Sequence, residues 1–167
     1  MNLGANEGFQ LAKISSLIIK DSTLTNFTNR IILCTTCPSS FILNSTLAHS
    51  FNGLLIDTCR FYINNSWFEY LGHPTVYGGA ITSWTSNISC FDTVFNNNLA
   101  LRAGAIGPNC RAGWVCDYDY VRINFTNNRA LTSGGAYFYS WFWPNFQDLY
   151  FENNTAAYGP NIGSIPI

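Results

Sequence analysis

Phe125-Thr-Asn-Asn-Arg-Ala-Leu-Thr-Ser-Gly-Gly-Ala-Tyr137 decides the fold, because its pattern recurs on both sides of it. Phe95-Asn-Asn-Asn-Leu-Ala-Leu-Arg-Ala-Gly104-Ala-Ile precedes it, and Phe151-Glu-Asn-Asn-Thr-Ala-Ala-Tyr-Gly159 follows it. Each copy reads F-x-N-N-x-A and then places a glycine eight or nine residues after the Phe. A repeat of this length, one supersecondary unit per copy, is the mark of a solenoid or propeller.

A second pattern lies upstream of each Phe and extends the repeat to the first half of the chain. It runs Ile19-Lys-Asp-Ser-Thr-Leu24, Ile42-Leu-Asn-Ser-Thr-Leu47, Ile63-Asn-Asn-Ser-Trp-Phe68, Cys90-Phe-Asp-Thr-Val-Phe95, Tyr120-Val-Arg-Ile-Asn-Phe125 and Phe146-Gln-Asp-Leu-Tyr-Phe151. The last residues of these segments are 23, 21, 27, 30 and 26 residues apart, which gives six rungs. Leu24, Leu47, Phe68, Phe95, Phe125 and Phe151 form one core column, and Ile19, Ile42, Ile63, Cys90, Tyr120 and Phe146 another. Asp21, Asn44, Asn65, Asp92, Arg122 and Asp148 form a polar third column suited to a turn, with Arg122 between Asp92 and Asp148. Glycines at 78, 79, 104, 134, 135 and 159 precede further short apolar strands, where a corner needs positive φ or a close backbone approach. No segment requires a helix. The expected fold is all-β, a right-handed parallel β-helix of about six rungs forming one domain over 1–167, with an insertion at 107–118.

Gly78-Gly-Ala-Ile81, together with F-x-x-N at Phe95/Asn98, Phe125/Asn128 and Phe151/Asn154, resembles the repeats of the chlamydial polymorphic outer membrane protein family. The resemblance implies a right-handed parallel β-helix passenger, extracellular display and adhesion.

Composition narrows the function classes. Charged residues are 10% of the chain and the formal net charge is −1, so no basic field gathers nucleic acid or an anionic membrane. No run of apolar residues is long enough for a membrane-spanning helix. Six cysteines suit an oxidising compartment and permit three bridges. Cys110 and Cys116 would pin the insertion, while Cys34, Cys37, Cys59 and Cys90 pair in an order the sequence leaves open, either Cys34–Cys37 with Cys59–Cys90 or a bridge between Cys37 and Cys59. Cys34-Thr-Thr-Cys37 has half of a zinc motif, but no second C-x-x-C or H-x-x-x-H follows at finger spacing. His49 and His73 stand apart from Cys and carboxylates in sequence.

Six Asn-x-Ser/Thr triplets begin at Asn26, Asn44, Asn64, Asn87, Asn124 and Asn153. Twenty Asn among 28 Ser and Thr in 167 residues give about three by chance, so six is a mild excess. Asn64 and Asn124 neighbour core columns and should point outward, where a glycan can be carried.

These readings lead to a non-enzymatic, glycosylated extracellular β-solenoid, acting as the subunit of a surface filament or as an adhesin module, without metal, cofactor or catalytic residue. The alternative is a carbohydrate-active β-helix, a polysaccharide lyase or hydrolase, with Asp117 and Asp119 as the best carboxylate pair and a groove lined by Trp67, Trp84, Trp114, Trp141 and Trp143. The first ten residues lack the basic-then-apolar order of a secretory signal, which leaves a removed signal, a longer parent chain or a cytosolic protein, and the six cysteines argue against the last. Residues 1–16 and Asn161–Ile167 read without a helical cap, so self-association end to end is expected.

Overall fold

A computed structural model describes residues 8–140 and 142–164. Within them the chain is all-β, without a helix, and every strand pair is parallel. Glu7, Trp141 and the terminal residues from Ile165 lie outside the described residues.

A seven-stranded sheet runs, in this order, through Phe9–Ala12, Arg30–Thr35, Asn52–Asp57, Ile81–Trp84, Ile106–Asn109, Tyr137–Tyr139 and Ile162–Ser164. A second sheet has two arms, Leu17–Lys20, Ser40–Leu43 and Arg60–Asn64 on one side, Thr23–Thr25, Thr46–Ser50 and Trp67–Leu71 on the other. Both arms pair with the long strand Asn87–Asn96, and Tyr118–Thr126 and Asn145–Glu152 continue the stack. Leu99–Arg102 and Arg129–Ser133 form a third, two-stranded sheet.

The registers follow the repeat. Leu24, Leu47, Phe68, Phe95, Phe125 and Phe151 are successive partners in the ladder, as are Ile19, Ile42, Ile63, Cys90, Tyr120 and Phe146. Parallel strands bring equivalent side chains about 4.8 Å apart, so like stacks on like. Phe68, Phe95, Phe125 and Phe151 stack at centroid separations of 5.0, 5.3 and 5.2 Å. Three of them, Phe68, Phe95 and Phe125, are fully buried. Interior apolar burial of this kind is the main stabilising term.

Corners repeat as faithfully as strands. Seventeen non-glycine residues among those described have positive φ, and sixteen fall into three columns. The first is Asp21, Asn44, Asn65, Asp92, Arg122 and Asp148; the second is Asn26, His49, Tyr70, Asn97, Asn127 and Asn153; the third is Lys13, Thr36, Thr58 and Thr85. One left-handed residue bends the strand and turns the next side chain inward. That inward residue then caps the neighbouring turn: Ser45 Oγ accepts from Ser22 N at 3.2 Å, Ser66 Oγ from Ser45 N at 3.3 Å and Thr93 Oγ1 from Ser66 N at 3.4 Å. At the second corner the same position holds Asn98, Asn128 and Asn154, all buried. Asn98 Nδ2 donates to Phe68 O at 3.0 Å, Asn128 Nδ2 to Phe95 O at 2.9 Å and Asn154 Nδ2 to Phe125 O at 2.9 Å. The F-x-x-N signature is therefore a contact between repeats: each Asn reaches the Phe one repeat earlier, not its own.

The glycine signature is steric. A Cβ on Gly79 would strike Gly104 O, one on Gly104 would strike Gly135 O, and one on Gly135 would strike Pro160 O. None of these three has positive φ, so close approach and not left-handed backbone excludes a side chain.

The insertion is shorter than 107–118. Gly107, Pro108 and Asn109 complete a strand paired with Ile81–Trp84, and Tyr118 already belongs to the next one, which leaves 110–117 as the loop. Cys110–Cys116 spans it, with S–S 2.08 Å.

Candidate functional site

An aromatic cleft lies on the outer side of the seven-stranded sheet. Ile81, Ile106 and Tyr137 are ladder partners that face the core. Alternation then turns Thr82, Gly107 and Phe138 outward, and again Trp84, Asn109 and Ser140. Gly107, the ladder partner of Thr82, lines with Thr82 and Phe138 a cavity of about 130 Å3. Tyr77 and Arg102 close its rim. The Arg102 guanidinium carbon lies 5.5 Å from the ring centroid of Tyr77 and 5.5 Å from that of Phe138. Tyr77 also tilts against Trp84, with centroids 6.3 Å apart. Thr82 is internally satisfied, since its Oγ1 donates to Gly78 O at 3.1 Å. No carboxylate lines this cleft among the described residues.

A second, shallower pocket runs along the first corner and is lined by Asn44, Asn65, Trp67 and Asp92. Trp67 and Trp84 thus belong to different pockets, and Trp114 and Trp143 are exposed elsewhere, at 56% and 81%. The corner column is knit by side chains: Asn44 Nδ2 donates to Asp21 Oδ1 at 3.0 Å and Asn65 Nδ2 to Asn44 Oδ1 at 3.1 Å. Arg122 grips Asp92 with two nitrogens, the Nη2 to Oδ2 distance being 2.7 Å, and this holds the Asp92 carboxyl below its usual range. Arg122 makes no ion pair with Asp148, so the expected bridge to both neighbours is one-sided. Asp148 instead accepts from Gln147 Nε2 at 3.4 Å.

Asp117 and Asp119 do not converge on a shared group. Asp119 Oδ1 accepts from Asn145 Nδ2 at 3.1 Å, and Asp117 is exposed, its backbone N–H donating to Asn87 Oδ1 at 3.0 Å. His49 stacks on Tyr70 with centroids 4.9 Å apart, and His73 on Phe51 at 4.6 Å. Both imidazoles are surface stacking partners.

Cys34 and Cys37 are bridged, with S–S 2.03 Å, while Cys59 and Cys90 are free and buried. This corrects the expectation that all four are paired. Cys90 sits inside a strand between Ile63 and Tyr120, whereas Cys59 occupies a corner below Cys37, so the two thiols do not meet. The sulfurs of Cys34, Cys37 and Cys59 lie within 4.8 Å of one another. The bridge leaves only one thiol in that trio, which does not make a metal-binding set. Burial pushes the Cys59 thiol up and the Cys90 thiol up to about 12, so neither is a nucleophile at neutral pH.

The six sequons differ in environment. Asn26, Asn124 and Asn153 are exposed, and none has a side-chain hydrogen bond among the described residues. Asn44 is held in the corner ladder and Asn87 caps Asp117. Asn64, expected to point outward, is half-buried with Oδ1 fully enclosed. In the ladder it lies between Leu43 and Phe91.

Arg102, Tyr77 and Phe138 were not legible as a group in the sequence, because they lie 25 or more residues apart and meet only through stacking. No protein-family model, no curated protein and no solved structure matches the chain.

Proposed function

We propose that the chain is a non-enzymatic, extracellular β-solenoid, a right-handed parallel β-helix of about six rungs that serves as an adhesin module or as the subunit of a surface filament. The observation that carries this reading is the distribution of acid groups. Hydrolysis or elimination on a polysaccharide needs carboxylates converging beside the sugar. Asp21, Asp92 and Asp119 each bind a neighbouring Asn or Arg, and the aromatic cleft at Trp84 has no carboxylate among its described residues. This weighs against the carbohydrate-active alternative, as does the separation of Trp67 from Trp84.

Two bridges support an oxidising compartment, and exposed sequons support glycosylation. Phe9–Ala12 and Asn145–Glu152 each pair on one side only among the described residues. An open parallel edge takes either a further turn or a second copy, and unlike ends joined head to tail propagate into a fibre. The polymorphic outer membrane protein resemblance agrees with surface display.

Electron microscopy of the purified native protein tests the assembly: end-to-end rows are expected, and isolated particles at all concentrations would contradict it. Glycosidase treatment in heavy-oxygen water, followed by peptide mass mapping, tests the glycan sites. Converted Asp is expected at Asn26, Asn124 and Asn153 and not at Asn64. Unmodified Asn at all of them would make the sequons accidental.

A further inference from the structure

We propose that the cleft formed by Tyr77, Trp84, Arg102, Asn109, Phe138 and Ser140 binds a carboxylate-bearing sugar ring, of the uronate type. This names a ligand for the adhesin reading and rests on it.

The Arg102 guanidinium is held against two aromatic rings, at 5.5 Å from each centroid, and has no carboxylate within ion-pair distance among the described residues. Cation–π contact holds the cation by its faces and leaves the planar N–H fork unused. A fork fixed in advance loses little freedom on binding, and it matches two carboxylate oxygens. Arg122 differs, because its fork is already occupied by Asp92.

The remaining lining completes a sugar site. Trp84 and Tyr77 offer ring faces on which the C–H face of a pyranose packs. Asn109 and Ser140 line the same cleft, and neither side chain has a hydrogen bond elsewhere among the described residues. An amide and a hydroxyl both donate and accept, which suits ring hydroxyls. One cation, not several, favours a single carboxylate over a multiply charged phosphate ester. The volume of about 130 Å3 is well under the roughly 300–1,000 Å3 of sites for larger ligands, so the cleft takes one ring and not an extended chain. Gly107 forms part of the wall, where a Cβ would lie 3.2 Å from Ala103 Cβ and 3.4 Å from Gly78 Cα.

The test uses methyl glucuronide and methyl glucoside, which differ only in the carboxylate, titrated into the glycosylated native protein by ligand-observed NMR. The glucuronide should bind at least about tenfold more tightly, as a charge-assisted bidentate contact allows. Arg102→Gln, with its fold checked by circular dichroism, should reduce the glucuronide to the glucoside's affinity, and Asn109→Ala should weaken both. Equal affinity for the two sugars, a preference that survives Arg102→Gln, absence of binding by either, or displacement by an equal concentration of inorganic sulfate would each overturn the assignment. If Arg102→Gln does not fold, isotope-labelled native protein decides: the glucuronide must shift the Trp84 indole, and shifts confined to Trp114 or Trp143 refute the site. Cleavage of a uronate oligomer in the same mixture would sink the non-enzymatic reading while leaving the binding site standing. Failure to bind would do the reverse.

Discussion

Replacing Asn128 tests the buried amide column at its centre, between Asn98 and Asn154. Its Nδ2 donates to Phe95 O at 2.9 Å and Asn154 Oδ1 at 3.0 Å, while its Oδ1 accepts from Asn98 N at 3.1 Å and Asn98 Nδ2 at 2.9 Å. In Asn128→Ala the other members keep part of their bonding, since Asn98 Nδ2 still reaches Phe68 O and Asn154 Oδ1 still accepts from residue 128 N. Asn98 N–H does not, because Asn128 Oδ1 is its acceptor. An orphaned buried N–H costs roughly 1–3 kcal/mol, and three further hydrogen bonds at about 1 kcal/mol each bring the loss to roughly 4–6 kcal/mol. That is a large part of the stability of an ordinary domain. Urea unfolding followed by near-ultraviolet circular dichroism measures it, with an unchanged m-value required for a clean comparison. Asn128→Asp sharpens the test at equal volume. It sets a second carboxyl oxygen against Phe95 O and Asn154 Oδ1, so the neutral acid is favoured and the folded-state pKa rises above the ordinary value of about 4. The stability of this variant is then fullest below that value and is lost as the pH rises through the raised one. A loss under about 1 kcal/mol for Asn128→Ala, or an Asp variant as stable as the parent at neutral pH, would refute the column.

Three other perturbations probe separate parts of the molecule. Phe125→Ala empties a buried site between Phe95 and Phe151 and should cost roughly 3–5 kcal/mol, so a thermal midpoint equal to the parent's contradicts the stacking. Burial pushes Cys90 and Tyr118 up to about 12 and Tyr120 and Tyr137 well above the ordinary tyrosine value, so their contribution is intact below about pH 9 and is lost as pH rises towards 12. Phenolate absorbance should therefore show a late, cooperative step coincident with unfolding, and a smooth titration of all nine tyrosines in a folded chain would count against it. Cys34→Ser releases Cys37 beside Cys59, whose sulfur accepts from Cys37 N at 3.2 Å. Peptide mapping in a glutathione redox buffer should find a Cys37–Cys59 bridge, and full alkylation of both thiols would show that they do not meet.

Much of the fold was legible because parallel pairing stacks the same position of each repeat on the next. Leu24 to Phe151 and Ile19 to Phe146 align by eye, and the Asx-rich column from Asp21 to Asp148 marks a bend through residues that tolerate left-handed backbone. The second bend was harder to see. It falls on Asn in four turns but on His49 and Tyr70 in the other two, where the ladder on either side forces positive φ on residues that do not favour it. The F-x-x-N pattern was visible as a motif, but its partner was not, because the bond runs to a Phe 33 residues back in the case of Asn128. The aromatic cleft was invisible for the same reason. Tyr77, Arg102 and Phe138 belong to three different repeats and meet only where those repeats stack. The free thiols of Cys59 and Cys90 escaped because an even cysteine count suggests full pairing, while their separation depends on which rise of the ladder each occupies.

Gly79, Gly104 and Gly135 bear on how a chain of this kind changes over generations. A Cβ on each would strike a main-chain oxygen of the following repeat, and a main-chain oxygen is the same whatever residue carries it. A turn with glycine at this position can thus be seated on any other, and tandem duplication or deletion of a whole unit leaves the surviving contacts as they were. Gain or loss of a few residues is tolerated only where the backbone leaves the ladder, as at 110–117. Descendants should differ by complete turns and by the contents of their outer loops, with the glycine column itself unchanged.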